Sequence, residues 1–192
     1  MNASSPATNV KELIAIAKRS PGKLSFGSGS SGSQLAGELF KLAAGLDVVH
    51  VPYKGTAPAV ADVLAGNVHI ATSVPTSVMS LVQSGRLRAL LVTGSRRSEM
   101  LPSVPSAVEP GLSERNVLSW YGVVMPSATP RELVQKLNAD FVQALNSKEV
   151  RERLAAAGQT AAPSTPAEFQ QEIRKDYEIW GKVVKSVKLK AE

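Results

Sequence analysis

Three times between residues 23 and 83 the chain repeats one unit: a short apolar stretch, a turn of small residues, then an amphipathic helical stretch. Residues 23–26 lead through 27–32 into 33–44, residues 48–53 through 54–56 into 57–64, and residues 68–71 through 72–74 into 75–83. Strands that alternate with helices of this length predict parallel pairing and right-handed crossovers, because an antiparallel return needs only a tight hairpin. Before the first unit, Val10, Leu13, Ile14 and Ala17 have helical spacing, stopped by Pro21-Gly22. Residues 1–8, rich in Asn, Ser, Ala and Pro, read as a loose arm. Residues 87–93 read as a fourth strand, and 101–112, broken by Pro102, Pro105, Pro110 and Gly111, as an irregular connector.

Beyond the connector the texture changes. Residues 117–125 form one strand-like run, and helical patterns dominate after it. Thr129-Pro130-Arg131-Glu132 and Thr165-Pro166-Ala167-Glu168 each place a threonine at the N-cap, proline at the first helical position and glutamate at the third, which spells a capping box. Phe169, Ile173, Tyr177, Trp180, Val184 and Val187 recur at three- and four-residue steps and predict a packing face. These changes put a boundary between 1–118 and 119–192. One strand and three helices cannot cover both faces of a sheet, so the second part needs strands from elsewhere.

Bulk properties narrow the function classes. A hydrophobic content of 43% fits a folded protein, and no apolar run approaches the roughly 18 residues of a membrane span. The absence of cysteine excludes disulfides, thiolate nucleophiles and thiolate metal sites. The net charge of +6 is spread along the chain, so it describes either a solvated basic surface or a bias toward anionic ligands. With aromatics at only 5%, nothing resembles the basic stripe with interleaved rings that nucleic acid requires.

The three turns carry the functional signal. Each follows the carboxyl end of a parallel strand and opens a helix, so all three should share the sheet edge where open α/β folds bind ligands. A helix start offers unpaired N–H groups and partial positive charge, and small residues let an anion approach them. The expected anion-binding residues are Ser28, Gly29, Ser30, Ser31, Gly32 and Ser33 in the first turn, Gly55, Thr56 and Ala57 in the second, and Ser73 and Val74 in the third. Gly27, Gly29 and Gly32 also fit a G-x-G-x-x-G dinucleotide fingerprint. Its acidic ribose partner is misplaced, since Asp47 precedes the second strand, which ends in Tyr53-Lys54. An NADP-dependent oxidoreductase, with Lys54 facing a 2′-phosphate, is therefore an alternative. A stand-alone protein-interaction module is another. His50 and His69 have apolar strand neighbours and no carboxylate at ligand spacing, so they read as structural histidines. No nucleophile elbow or lysine-serine phosphate loop is present, and the reading is of a protein without catalysis, metal or cofactor.

From about residue 10 to 184 the chain resembles the Bug/TctC family, the extracytoplasmic substrate-binding proteins of tripartite tricarboxylate transporters. The resemblance lies in Val10-Lys11-Glu12-Leu13-Ile14, Leu35-Ala36-Gly37-Glu38-Leu39-Phe40, His50-Val51-Pro52-Tyr53-Lys54-Gly55 and Leu87-Arg88-Ala89-Leu90-Leu91-Val92-Thr93. It continues in Leu101-Pro102-Ser103-Val104-Pro105, Trp120-Tyr121-Gly122 and Thr165-Pro166-Ala167-Glu168-Phe169. It implies an α/β fold like that of type II periplasmic binding proteins, with one complete three-layer lobe over 1–118 and the C-terminal half of the other lobe over 119–192. It further implies a periplasmic protein that closes on a small carboxylate or dicarboxylate and serves the membrane components of a tripartite transporter. Where the family has a histidine this chain has Gln34, and where it often has an aspartate after the third strand this chain has Thr72 and Ser73. Loss of that carboxylate favours a plain carboxylate over an amino acid, whose ammonium needs a negative partner. The leader and opening half-lobe of family members have no counterpart here, so the expectation is a truncated chain with impaired binding that self-associates through its incomplete lobe.

Overall fold

The computed structural model describes residues 1–112 and 120–187, with side chains as far as Lys185. The chain divides into two compact units, Met1–Ser119 and Trp120–Glu192.

In the first unit, β1 (Ser25–Ser28), β2 (Val49–Pro52) and β3 (Ile70–Thr72) form a parallel sheet in the order β2-β1-β3. Phe26 pairs with His50 on one side and Ile70 on the other, and Ser28 pairs with Pro52 and Thr72. Helices α2 (Ser31–Ala44) and α3 (Thr56–Ala65) are the crossovers. Successive strand residues face opposite ways, and β1 uses this to hold one helix on each face. The Phe26 ring lies against α2, where a Cβ on Gly37 would overlap it, while Gly27 faces Ala59 of α3 and the Tyr53 ring. The result is a three-layer α/β unit. Ala7, Leu13, Ala17, Leu24, Phe26 and Val48 form one core cluster, and Val60, Val63, Val68 and Leu87 form a second. Burying a valine, leucine or phenylalanine side chain contributes about 1.5–3 kcal/mol. The first cluster draws on α1 (Val10–Arg19), capped by Asn9, whose side chain accepts the Glu12 N–H at 3.0 Å.

Two expectations for this unit fail. Residues 1–8 are tied down: Asn2 bridges Leu87, the Ala3 N–H donates to the Arg86 carbonyl, and Ala7 is fully buried. The fourth strand does not form. Among the described residues, 87–93 make strand pairing only as isolated bridges, Asn2 to Leu87 and Val92 to Ser106, too short to build a ladder. Residues 101–112 are irregular, as expected, and Arg97 clasps Glu109 across them at 2.6 Å.

The second unit contains α5 (Arg131–Asn146), α6 (Lys148–Ala156) and α7 (Pro166–Val187); α4, a five-residue helix of the first unit, is Met79–Gln83. Part of the strand-like run 117–125 lies outside the described residues, and 120–125 are not a strand. Val123 and Val124 are 62% and 75% exposed, and a segment without a neighbouring strand among the described residues has no ladder to join. Trp120 instead packs edge-on against Phe169, with ring centroids 5.2 Å apart, and donates its indole N–H to Asp176 at 2.6 Å. The box at Thr165 is real: its N–H and hydroxyl both donate to Glu168 at 2.8 Å, and the Glu168 N–H returns to its hydroxyl at 3.2 Å. The box at Thr129 is not. There α5 starts one residue later, with Pro130 at the N-cap and no side-chain bond. On the expected packing face of α7, Phe169, Trp180 and Val184 are half-buried, Ile173 and Tyr177 are exposed, and the Val187 side chain lies outside the described residues.

Candidate functional site: an amide-lined sheet edge

The carboxyl ends of the three strands bring their turns together. Gly29, just past β1, lies against the backbone of the β2–α3 turn so closely that a Cβ there would overlap the Gly55 carbonyl and the Thr56 nitrogen. Thr72, at the end of β3, donates its hydroxyl to the Ser33 carbonyl in the first turn of α2 at 2.7 Å. The first turn thus sits between the other two, as the strand order requires.

In the first turn Ser30 is the N-cap of α2, and a serine-serine capping box closes it. The Ser33 N–H donates to Ser30 Oγ at 3.2 Å, while the N–H groups of Gly29 and Ser30 both donate to Ser33 Oγ, at 3.2 and 3.0 Å. These three amides are therefore spent inside the turn, which corrects the expectation that they face a ligand. Ser31 and Gly32 are exposed, and among the described residues their N–H groups have no partner. Ser28 is also corrected. It is 3% exposed, and its hydroxyl lies 2.8 Å from His50 Nε2, beneath the edge rather than on it.

The second turn reaches a similar end differently. Gly55 caps α3 with φ 149°, a conformation that favours glycine, and it has no side chain to satisfy the helix start. The N–H groups of Thr56 and Ala57 have no partner among the described residues, and Pro58 carries no N–H. Two amide pairs, Ser31–Gly32 and Thr56–Ala57, thus open helices of 14 and 10 residues on one edge.

The third turn is weaker than expected. The stretch after β3 is a 3-10 turn, Pro75–Ser77, followed by α4, so no long helix adds its dipole there. Ser73 donates its hydroxyl to the Val74 carbonyl at 3.1 Å. Both residues flank the edge without a helix start behind them.

Charge on this edge has one sign. The turns 27–34, 53–58 and 72–78 contain no carboxylate, and Lys54 is their one charged residue. Asp47 precedes β2, so no acidic group ends that strand to hold a ribose. Among the described residues no cluster of three or more His, Asp or Glu could hold a metal ion.

Below the edge lies a layer that spacing alone did not assign to the site. His50 bonds Ser28 through Nε2, and its Nδ1 lies 3.3 Å from the Gln34 amide nitrogen. Its ring packs on Phe26 with centroids 4.8 Å apart. Buried Glu38 pairs with Lys41 at 3.0 Å in the same layer. Strand register could have found this group: His50 pairs with Phe26, which puts it on the same face as Ser28 two residues on. His69 accepts the Ser25 N–H at 3.1 Å. Both histidines are hydrogen-bonded within the fold.

The first unit is thus a three-layer α/β fold whose strand edge carries two amide pairs without partners among the described residues. Residues 1–189 match the tripartite tricarboxylate transporter family receptor, TctC, and the chain belongs to that family. Its members are solute-binding receptors, not enzymes. The chain is 36% identical, over 98% of its length, to the UPF0065 protein in the tcbD-tcbE intergenic region of Pseudomonas sp. strain P51, covering 57% of that protein. It is 37% identical over 90% of its length to protein BugT of Bordetella pertussis, covering 54% of it. Among solved structures it superposes on R. palustris Rpa4515 with adipate at TM-score 0.83 and 32% identity, over 96% of this chain and 62% of that one. MatC from Rhodopseudomonas palustris with bound malate gives TM-score 0.77 and 26% identity, over 95% of this chain and 64% of that one. The chain thus spans a little over half the length of these curated relatives.

Proposed function

We propose that this chain contributes to capture of a small mono- or dicarboxylate as the solute-binding component of a tripartite transporter in the periplasm. The observation that carries the reading is that Ser31–Gly32 and Thr56–Ala57 offer amides without partners among the described residues, on an edge whose turns hold no carboxylate. Four N–H donors at two helix starts suit one carboxylate group, because charge-assisted bonds to oxygen are short and the aligned peptide dipoles add attraction. The Thr56 hydroxyl and the backbone at Ser73 and Val74 complete the rim. The adipate and malate carried by the two R. palustris neighbours have the chemistry this edge fits.

Residues 1–118 act in this reading as the second lobe, and 119–192 as the closing part of the first. The opposite end of a dicarboxylate then needs a surface that the edge does not supply. The chain covers 62% and 64% of the two ligand-bearing neighbours. The exposed Val124 and Tyr177 support a further proposal, self-association through the second unit.

Calorimetric titration of the chain with adipate, malate and aspartate tests the function. Saturable binding of the first two but not of aspartate is expected, since Thr72 and Ser73 offer no negative partner to an ammonium. Binding of aspartate as tight as malate, or flat heats with every carboxylate, would overturn it.

A further inference from the structure

Gln34, His50 and Ser28 lie directly beneath the amide edge, and the proposed function does not use them as ligand contacts. Each comes from a different element. Ser28 ends β1, His50 sits in β2 and Gln34 lies in the first turns of α2. Their side chains join in one chain of contacts, Ser28 Oγ to His50 Nε2 at 2.8 Å and His50 Nδ1 to Gln34 Nε2 at 3.3 Å. With the Gln34 amide donating to Nδ1, the proton of neutral His50 must sit on Nε2 and be donated to Ser28 Oγ.

We propose that Gln34 and His50 are positioning residues for the carboxylate edge, holding the first turn of α2 against β1 and β2, and that protonation of His50 places positive charge beneath the edge and tightens anion binding. The inference rests on the carboxylate reading above and deepens it.

Three observations support it. The first is connectivity: the relay links the strand that leads to Gly29, the strand that leads to Gly55 and the helix that opens at Ser31, so it sets the spacing of the two amide pairs. The second is the charge around the ring. Glu38 and Lys41, both from α2, are the charged groups facing it; they are paired with each other at 3.0 Å and oppose one another in their effect on the imidazole. Burial of the ring is the largest influence and holds His50 below its ordinary value, so it is neutral at pH 8 and gains its proton only on acidification. The third is the cost of protonation. A proton on Nδ1 needs only that Gln34 turn its amide oxygen to the ring, a side-chain rotation that leaves the backbone in place. An anion on the edge then stabilises the protonated ring, and by linkage the proton stabilises the anion.

The test reads the relay both with and without a ligand. Without ligand, imidazole 15N shifts of the chain at pH 8 should show the Nε2–H tautomer at His50, and Gln34→Ala should move the Nδ1 resonance as that nitrogen loses its donor. With malate as the probe, the dissociation constant should fall roughly two- to threefold between pH 8 and pH 6, a range in which its carboxylates stay ionised. In His50→Gln malate should bind more weakly than in the parent chain at pH 8, and with no pH dependence over that range. An unchanged imidazole signature in Gln34→Ala overturns the relay whatever malate does. A flat profile in the parent chain, or an unchanged profile in His50→Gln, overturns the charge effect and leaves the carboxylate reading standing. Absence of malate binding at both pH values, with the tautomer as expected, overturns the carboxylate reading and with it the effect on affinity.

Discussion

Gly29 and Gly55 meet backbone to backbone, and no other residue fits at position 29 without moving the turn that opens α3. The contact joins the end of β1 to the cap of α3, on the strand edge where α2 and α3 both open. Gly29→Ala should push the two turns apart. Overpacking of this kind costs about 1–3 kcal/mol. Urea unfolding should show that loss, and carboxylate binding should weaken by more than the loss of folded protein explains.

The two threonines that look alike in sequence should behave differently. Thr165→Ala removes a hydroxyl that donates to Glu168 and accepts its N–H, and should cost about 1 kcal/mol. Thr129→Ala removes no cap and should be close to neutral. Both tryptophans, Trp120 and Trp180, lie in the second unit, so their fluorescence during denaturation reads this comparison directly.

Arg97 and Glu109 give a pH dependence. Two hydrogen bonds from the Arg97 guanidinium, then one from the Ser106 N–H, hold the Glu109 carboxyl down at about 2. The folded value lies below the unfolded one, so the stabilisation is complete above the ordinary carboxylate range and is lost as pH falls through about 2. Hydrogen exchange at the Ser106 amide, taken relative to the intrinsic rate at each pH, should therefore remain slow at pH 4 and quicken near pH 2. Glu109→Gln should quicken it at both.

Self-association should depend on the open face of the second unit. Val124→Lys and Tyr177→Lys put charge at positions that are 75% and 81% exposed, so neither disturbs a core. Sedimentation velocity should show a smaller mean species for each variant than for the parent, with unchanged circular dichroism. Unchanged sedimentation would remove the face from the account.

Elements with a strong internal rule were legible in the sequence. The spacing of Val10, Leu13 and Ala17 marked α1, and small-residue turns between apolar stretches marked the β1, β2 and β3 units, with ends displaced by a few residues. Failures came where partners are distant in sequence. Residues 87–93 are apolar enough for a strand, but their bridges go to Asn2 and Ser106. Residues 1–8 have a loop's composition, yet Ala7 fills the core. For the site, the location of the turns was legible but the donors were not. Ser33 could be counted as an extra hydroxyl, whereas only the fold shows that it consumes the amides of Gly29 and Ser30. Ser28 failed for the related reason that alternation along β1 turns it inward to His50.

An 15N-1H titration of the assigned chain with malate tests the amide edge most directly. Saturable shifts concentrated at Ser31, Gly32, Thr56 and Ala57, with smaller changes at the already bonded amides of Gly29 and Ser30, are the predicted result. Shifts confined to other parts of the chain, or none at millimolar malate, would contradict it.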